Sequence, residues 1–374
     1  MRPDPVELTR ALLHYDTINP PGQEEPCAHH LGGLLEAAGF RVTYHPLGPG
    51  RASLVARRGG RDGAKPLCFT GHIDIVPLGA KPWSRDPFAG ETHDGRVYGR
   101  GSSDMKSGVA AFVAAAIELA PRLDHTAGVE LVITAGEETG CEGAFDLLRR
   151  PGALGRAGAV VVAEPTSNYP YVGHKGAFWL EAVTHGVTAH GSMPEKGVNA
   201  VCKAAHAVVA LERYRFATPP HPMMGQGTLN IGALHGGLNI NSVPDRAAIA
   251  LDMRTVPGQD HGHIRDELGR VLGPEVSFNT LLDVPPVYTE PDHEWVQQVF
   301  DVMQPVLGAR PEARTATYFT DAAALHQGYG GPPIVILGPG EAHMAHQTDE
   351  YCVAERVLQS TDAFAHILRR WCGL

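Results

Sequence analysis

The stretch PLCFTGHIDIVP, residues 66–77, carries an apolar run straight into His72 and Asp74. Leu67 to Thr70 lack the apolar–polar alternation of a strand with one wet face, so both faces are expected to be covered. The same style returns in VELVITA (129–135) and AVVVAEP (159–165). Between these runs lie helical patterns such as CAHHLGGLLEAAGF (27–40), with Leu31, Leu34, Leu35 and Ala38 on one face. Alternation of short buried strands with helices predicts an α/β fold, a mostly parallel sheet with helices on both faces.

The pattern changes after residue 175. FWLEAVT (178–184) alternates, 198–214 is an amphipathic helix, and GTLNIGALHG (227–236) and AAIALDMR (247–254) alternate again. QDHGHIRDELGRVLG (259–273) then reads as helix and EVSFNTLL (275–282) as strand. This β-α-β-β-α-β order is the split βαβ, ferredoxin-like pattern. It predicts an inserted α+β domain over 176–285 within a domain formed by 1–175 and 286–374. The Pro-rich LLDVPPVYTEP (281–291) marks the return, followed by a helix at 293–308, a strand in PPIVILGPG (332–340) and a closing helix over 349–371.

A chain of 374 residues can bury a large core, and its 43% hydrophobic and 19% charged content is that of a globular protein. The net charge of −10, with no run of Lys or Arg, argues against a nucleic-acid partner. The longest apolar helical run, VAAFVAAAIELA (109–120), is too short to span a bilayer, and the N-terminus has no signal-peptide pattern. A soluble, cytoplasmic protein is expected. Six scattered cysteines without a CxxC pair read as buried free thiols.

Four segments place imidazole or carboxylate groups where chemistry could gather. His72 and Asp74, at i and i+2, project to one side in extended geometry, a spacing suited to a metal-binding imidazole and the carboxylate that orients it. GRGSSDMKSG (99–108) brings Asp104 to a helix expected to begin near Met105. That position suits either an N-cap or a metal ligand. A dinucleotide-binding reading fails because Asp104 occupies the last glycine position, and no Walker-type GK[ST] exists. VITAGEETG (132–140) delivers Glu137 and Glu138, and VVVAEPTSN (160–168) delivers Glu164, each after a strand. Adjacent carboxylates repel, so they are either solvent-exposed or metal-bound. Carboxyl ends of parallel strands form the ligand crevice of such sheets. Carboxylates with imidazole and no thiolate suit a pair of zinc or related divalent ions.

In order along the chain, GHIDIVP, GRGSSDMKSG, GEETG, AEPT, GVTAHGSMPEKGVNA and AHQTDEY resemble the motifs of the dinuclear zinc family of acetylornithine deacetylase, succinyl-diaminopimelate desuccinylase, aminoacylase and the glutamate carboxypeptidases. The resemblance implies two divalent metal ions per chain, zinc with cobalt or manganese able to substitute. It implies that His72 and Glu164 bind one ion, Glu138 and His346 the other, and that Asp104 bridges them. Asp74 would orient His72 and Glu137 would be the general base. EAHMAHQTDEY offers His343 as well as His346, and the motif selects His346. The inserted domain would be a lid and dimerisation module, making the protein a homodimer. His190, in VTAHGSMP, would donate to the oxyanion in a neighbouring subunit's site. Asn241 in LNINSVP and Arg254 in LDMRTVPG would hold a substrate carboxylate.

The expected activity is metal-dependent hydrolysis of the amide of a small N-acyl-L-amino acid. FTDAAAL (319–325) resembles the acetylornithine deacetylase branch more than the desuccinylases, which commonly carry a Thr-Ser-Asp-Gly loop there. N-succinyl amino acids or diaminopimelate, and dipeptides or C-terminal residues of peptides, are the alternative substrates. A non-catalytic metal-binding protein would lack some of these ligand and base residues, and all are present.

Overall fold

The computed structural model describes residues 2–61 and 63–374. The chain forms two compact units, one of residues 1–173, 288–314 and 320–374, the other of 174–287 with 315–319. Segment 315–319 therefore belongs to the second unit, where the sequence pattern put it with the final stretch of the first.

Along the chain, β1 (Arg41–Gly48), β2 (Arg51–Arg58), β3 (Leu67–His72), β4 (Val129–Thr134) and β5 (Ala159–Val162) precede β6 (Gly176–His185), β7 (Thr228–Gly236), β8 (Arg246–Thr255) and β9 (Val276–Val284), and β10 (Ile334–Ile336) follows. In the first unit the sheet order is β1-β2-β4-β3-β5-β10. The four strands β4, β3, β5 and β10 are parallel, and β2 and β1 extend the sheet by antiparallel pairing. Strands β3, β4, β5 and β10 are buried at every residue, as a sheet covered on both faces requires.

Register shows which residues face which layer. Phe69 of β3 pairs with Leu131 of β4, stacks on Phe112 of a helix at Ser107–Leu119 and meets Phe364 of a helix at Ala354–Cys372 in a tilted ring contact. Cys68 and Glu130, one residue away and so on the other face, meet Tyr329 at the end of a helix at Ala322–Gly328. The 107–119 helix is apolar all round because it is buried almost throughout. Gly71 lets β3 lie close to it: a Cβ there would stand 3.0 Å from Val109 Cγ2.

From β3 the chain crosses to β4 on one side, and from β4 it crosses over to β5 on the other. The carboxyl end of β3 is thus a switch point, where open α/β sheets bind ligands. His72 is its last residue.

The second unit is a four-stranded antiparallel sheet of order β7-β8-β6-β9, with helices at Ala200–Glu212 and His261–Leu272. Numbered within the unit the strand order is 2-3-1-4, the ferredoxin-like arrangement. Asn199 and Asp260 cap the two helices by accepting the Cys202 and His263 N–H groups. Leu180, Ile249, Leu251, Ala204 and Leu268 form its core. Among the described residues no helix is long and apolar enough to cross a membrane. The six cysteines are free, but Cys202 is exposed and Cys372 half-buried, because Cys202 falls on the wet face of its helix.

Candidate active site

Strand ends bring the first group together. His72 is fixed through Nδ1, which lies 3.0 Å from the backbone oxygen and 3.4 Å from Oδ1 of Asp74. That leaves Nε2 facing the carboxylates: 3.1 Å from Asp104, 3.9 Å from Glu164 and 4.0 Å from Glu137. An imidazole held at one nitrogen by a carboxylate presents the other as a metal ligand. Asp74 does more than the i, i+2 spacing indicates, since it also accepts the N–H groups of Glu137 and Glu138, at 3.1 and 3.2 Å. Asn19, which no motif singled out, donates to Asp74 and to Thr139, tying down the same turn.

The second group comes from a loop late in the chain. His346, at φ +63°, places Nε2 3.1 Å from Glu138 Oε2 and 3.4 Å from Asp104 Oδ2. His343 instead stands 3.5 Å from the Tyr351 hydroxyl and 4.0 Å from Glu341. Asp104 therefore turns one oxygen to His72 and the other to His346. It caps no helix: the helix starts at Ser107, and Asp104 is extended at φ −116° and ψ 93°.

Glu350 sets that conformation. Buried completely, it accepts the N–H groups of Gly101, Ser103 and Asp104 and pairs with Arg100 at 2.7 Å. Glu350 lies inside AHQTDEY, yet residue type and spacing alone gave no signal that it holds a turn 246 residues earlier. Gly340 helps bring the two loops together, since a Cβ there would stand 2.1 Å from the Ser103 oxygen.

Beneath the site, Asp321 accepts from Thr134. Thr320 and Asp321 are both buried, so this part of FTDAAAL is committed to packing under the strand ends. Burial holds the Asp321 carboxyl up at about 6. His190, Asn241 and Arg254 belong to the second unit. There His190 and Asn241 are exposed on adjoining segments, with Gly191 N–H donating to the Asn241 oxygen and the His190 Nδ1 2.7 Å from Ser192 Oγ. Arg254 pairs with Asp252 at 2.9 Å beside Trp179.

The donor set calls for cations. His72, Glu137 and Glu164 form one group whose ligand atoms lie close enough to hold an ion, and His72, Asp104 and Glu138 form another, the two groups having His72 in common. Burial, then the neighbouring charge of Glu164, pushes the Glu137 carboxyl well above its usual range. Burial and Asp104 do the same to Glu164 and bring Glu138 to about 7. Hydrogen bonds donated to Asp104 and Glu138 raise His346 to about 10. Divalent cations would relieve this mutual repulsion, so the residues fit hard or borderline metals with N/O ligands.

The sign of the pH dependence follows. Without metal, Glu138 binds its proton more tightly folded than unfolded between pH 4.5 and about 7, and His346 does so between 6.5 and about 10. The folded chain then carries more protons than the unfolded one, and stability falls as pH rises. The depressed carboxyls of Asp74 and Asp104 act in the opposite sense only at lower pH. The melting temperature of chelated protein should therefore drop from pH 6 to pH 8, and added divalent metal should raise it more at pH 8. A chelated protein that grows more stable over that range would contradict this electrostatic picture.

Comparison with known proteins gives the family. The model of peptidase family M20/M25/M40 matches residues 68–370. The chain belongs to that family. As a family member it is a metal-dependent hydrolase of linear amides. It is 30% identical to an acetylornithine deacetylase from Klebsiella pneumoniae, over 98% of this chain and 97% of that protein. It is equally 30% identical to a Staphylococcus epidermidis protein named "Probable succinyl-diaminopimelate desuccinylase", over 98% of each. The family fold is shared with a metallo-carboxypeptidase from Sulfolobus solfataricus, at TM-score 0.79, 19% identity and full coverage of both chains. It is also shared with a dinuclear metal-binding M20 peptidase from Bacillus subtilis, at TM-score 0.73 and 16% identity over 99% and 98% of the two chains.

Proposed function

We propose that this family member removes the acyl group from a small N-acyl-L-amino acid, as an acetylornithine deacetylase does, releasing the amino acid and a carboxylate. The observation that carries the reading is Asp104 turning its two oxygens toward two separate imidazole–carboxylate groups. One divalent ion would be held by His72 and Glu164, a second by Glu138 and His346, with Asp104 shared and zinc the proposed metal. When bound, such ions polarise the acyl carbonyl and acidify water.

The protein's own residues supply the rest. Glu137 takes the proton of the attacking water and delivers it to the departing amine. Asp74 keeps Nδ1 of His72 occupied and anchors the Glu137–Glu138 turn, so base and ligands share one support. His190 of the partner subunit donates to the tetrahedral oxyanion, a contribution of about 10²–10³ in rate. Asn241 and Arg254 hold the substrate's α-carboxylate, for which the guanidinium fork is suited. The inserted unit serves as lid and dimerisation module, and the enzyme works as a cytoplasmic homodimer.

Desuccinylation is the second reading, supported by a relative of equal identity bearing that name. Amine release from N-acetyl-, N-formyl- and N-succinyl-amino acids of both hands, and from dipeptides, decides between them. The expected result is chelator-sensitive hydrolysis of N-acetyl-L-amino acids. Preference for N-succinyl substrates would select the second reading, and silence across the metal-loaded panel would sink both.

A further inference from the structure

The first unit carries a second concavity, at the end of the sheet opposite the metal-ligand groups. It measures about 590 Å³ and is lined by Arg41, Arg57, Arg58, Arg61 and Arg156, with Glu130 the one carboxylate among the described lining residues. Pro66 lies in it and His72 in the candidate active site, six residues further along one strand, which is about 20 Å at the rise of an extended chain.

Two of the arginines are committed. Arg57 pairs with Glu130, which also accepts from Tyr329 and the Gly155 N–H, so the carboxylate's charge is already answered. Arg58 makes two bonds to Asp124 and one to the Ala38 oxygen. Arg41, Arg61 and Arg156 are exposed, and their side chains have no hydrogen bond or ion pair among the described residues. A chain of net charge −10 that gathers five guanidinium groups around one hollow has built a local field of the opposite sign. Guanidinium forks match phosphate oxygens bidentately, and the volume is within the range of small-molecule sites. Gly60 and Gly63, at φ +103° and +80°, add no side chain to the rim, and a Cβ on either would meet nothing within 4 Å.

We propose that this hollow binds a compact polyphosphate anion, inorganic triphosphate or the polyphosphate arm of a nucleotide. The three uncommitted arginines supply the charge, and Arg57 and Arg58 form the base on which the phosphates rest.

The test is calorimetric titration of the full-length, zinc-saturated protein with inorganic triphosphate, ATP and citrate, using wild type and an R61A/R156A double variant. Any chelation of zinc by the phosphates is common to both proteins and cancels in the comparison. The expected result is one equivalent of triphosphate bound, with affinity at least about tenfold weaker in the double variant. Zinc content and anion-free amide hydrolysis should be unchanged in that variant, showing it folded. ATP binding at the same arginine-dependent site would extend the proposal to nucleotides, and triphosphate binding alone would restrict it to the inorganic ion. Equal affinity in wild type and variant, equal binding of citrate, ATP binding without triphosphate binding, or no binding at all would each overturn it.

Discussion

Replacing Glu137 with alanine should lower kcat by about 10²–10⁴-fold while leaving bound metal near the wild-type level. The distances alone do not separate Glu137 from Glu164, which stand 4.0 and 3.9 Å from the same His72 nitrogen. Their roles differ in what each loss should do. A base removes a proton during the reaction, so its absence spares the resting metal centre. A ligand's absence empties it. Glu138→Ala, made beside it, should lose metal, because Glu138 is the carboxylate next to His346. Metal analysis and steady-state rates on the two variants separate the cases, and a Glu137→Ala protein that lost its metal would make Glu137 a ligand instead.

Asp104→Ala should have the larger effect on metal content, emptying both positions and abolishing hydrolysis. Among the described residues its carboxylate is the one group within 3.5 Å of both imidazoles, at 3.1 Å from His72 and 3.4 Å from His346. Removing an outer-shell partner of a metal site typically costs 10- to 100-fold in affinity or activity, and a shared ligand should cost more. If Asp104→Ala retained one tightly bound ion and substantial activity, the two groups would be independent sites.

Much of this centre was legible because strand ends are legible. Once the runs ending at His72, Thr134 and Val162 are read as parallel strands, the groups just beyond them must meet at one edge of the sheet. The inserted unit was legible for a similar reason, since its edge strands β7 and β9 alternate in burial where the parallel strands of the first unit are buried throughout. Asp104 was harder. Its neighbours predict a helix from Met105, yet the turn stays extended because Glu350 takes three of its N–H groups. Such a partner is fixed by the tertiary fold and leaves no local pattern. The closing helix shows the same limit: Tyr351–Val353 pairs with Arg96–Tyr98 as a strand, so the helix begins at Ala354 and not near 349. Asn19 and Asp321 are likewise ordinary in sequence and become site supports only through Asp74 and Thr134.

The central claim is a pair of ions sharing Asp104, and metal stoichiometry tests it most directly. Chelated wild-type protein should be titrated with zinc while bound metal and amide hydrolysis are followed together. Two equivalents per chain, with turnover restored as they bind and neither retained by Asp104→Ala, is the predicted result. Full activity at one equivalent, or hydrolysis that persists in the chelated protein, would contradict the account.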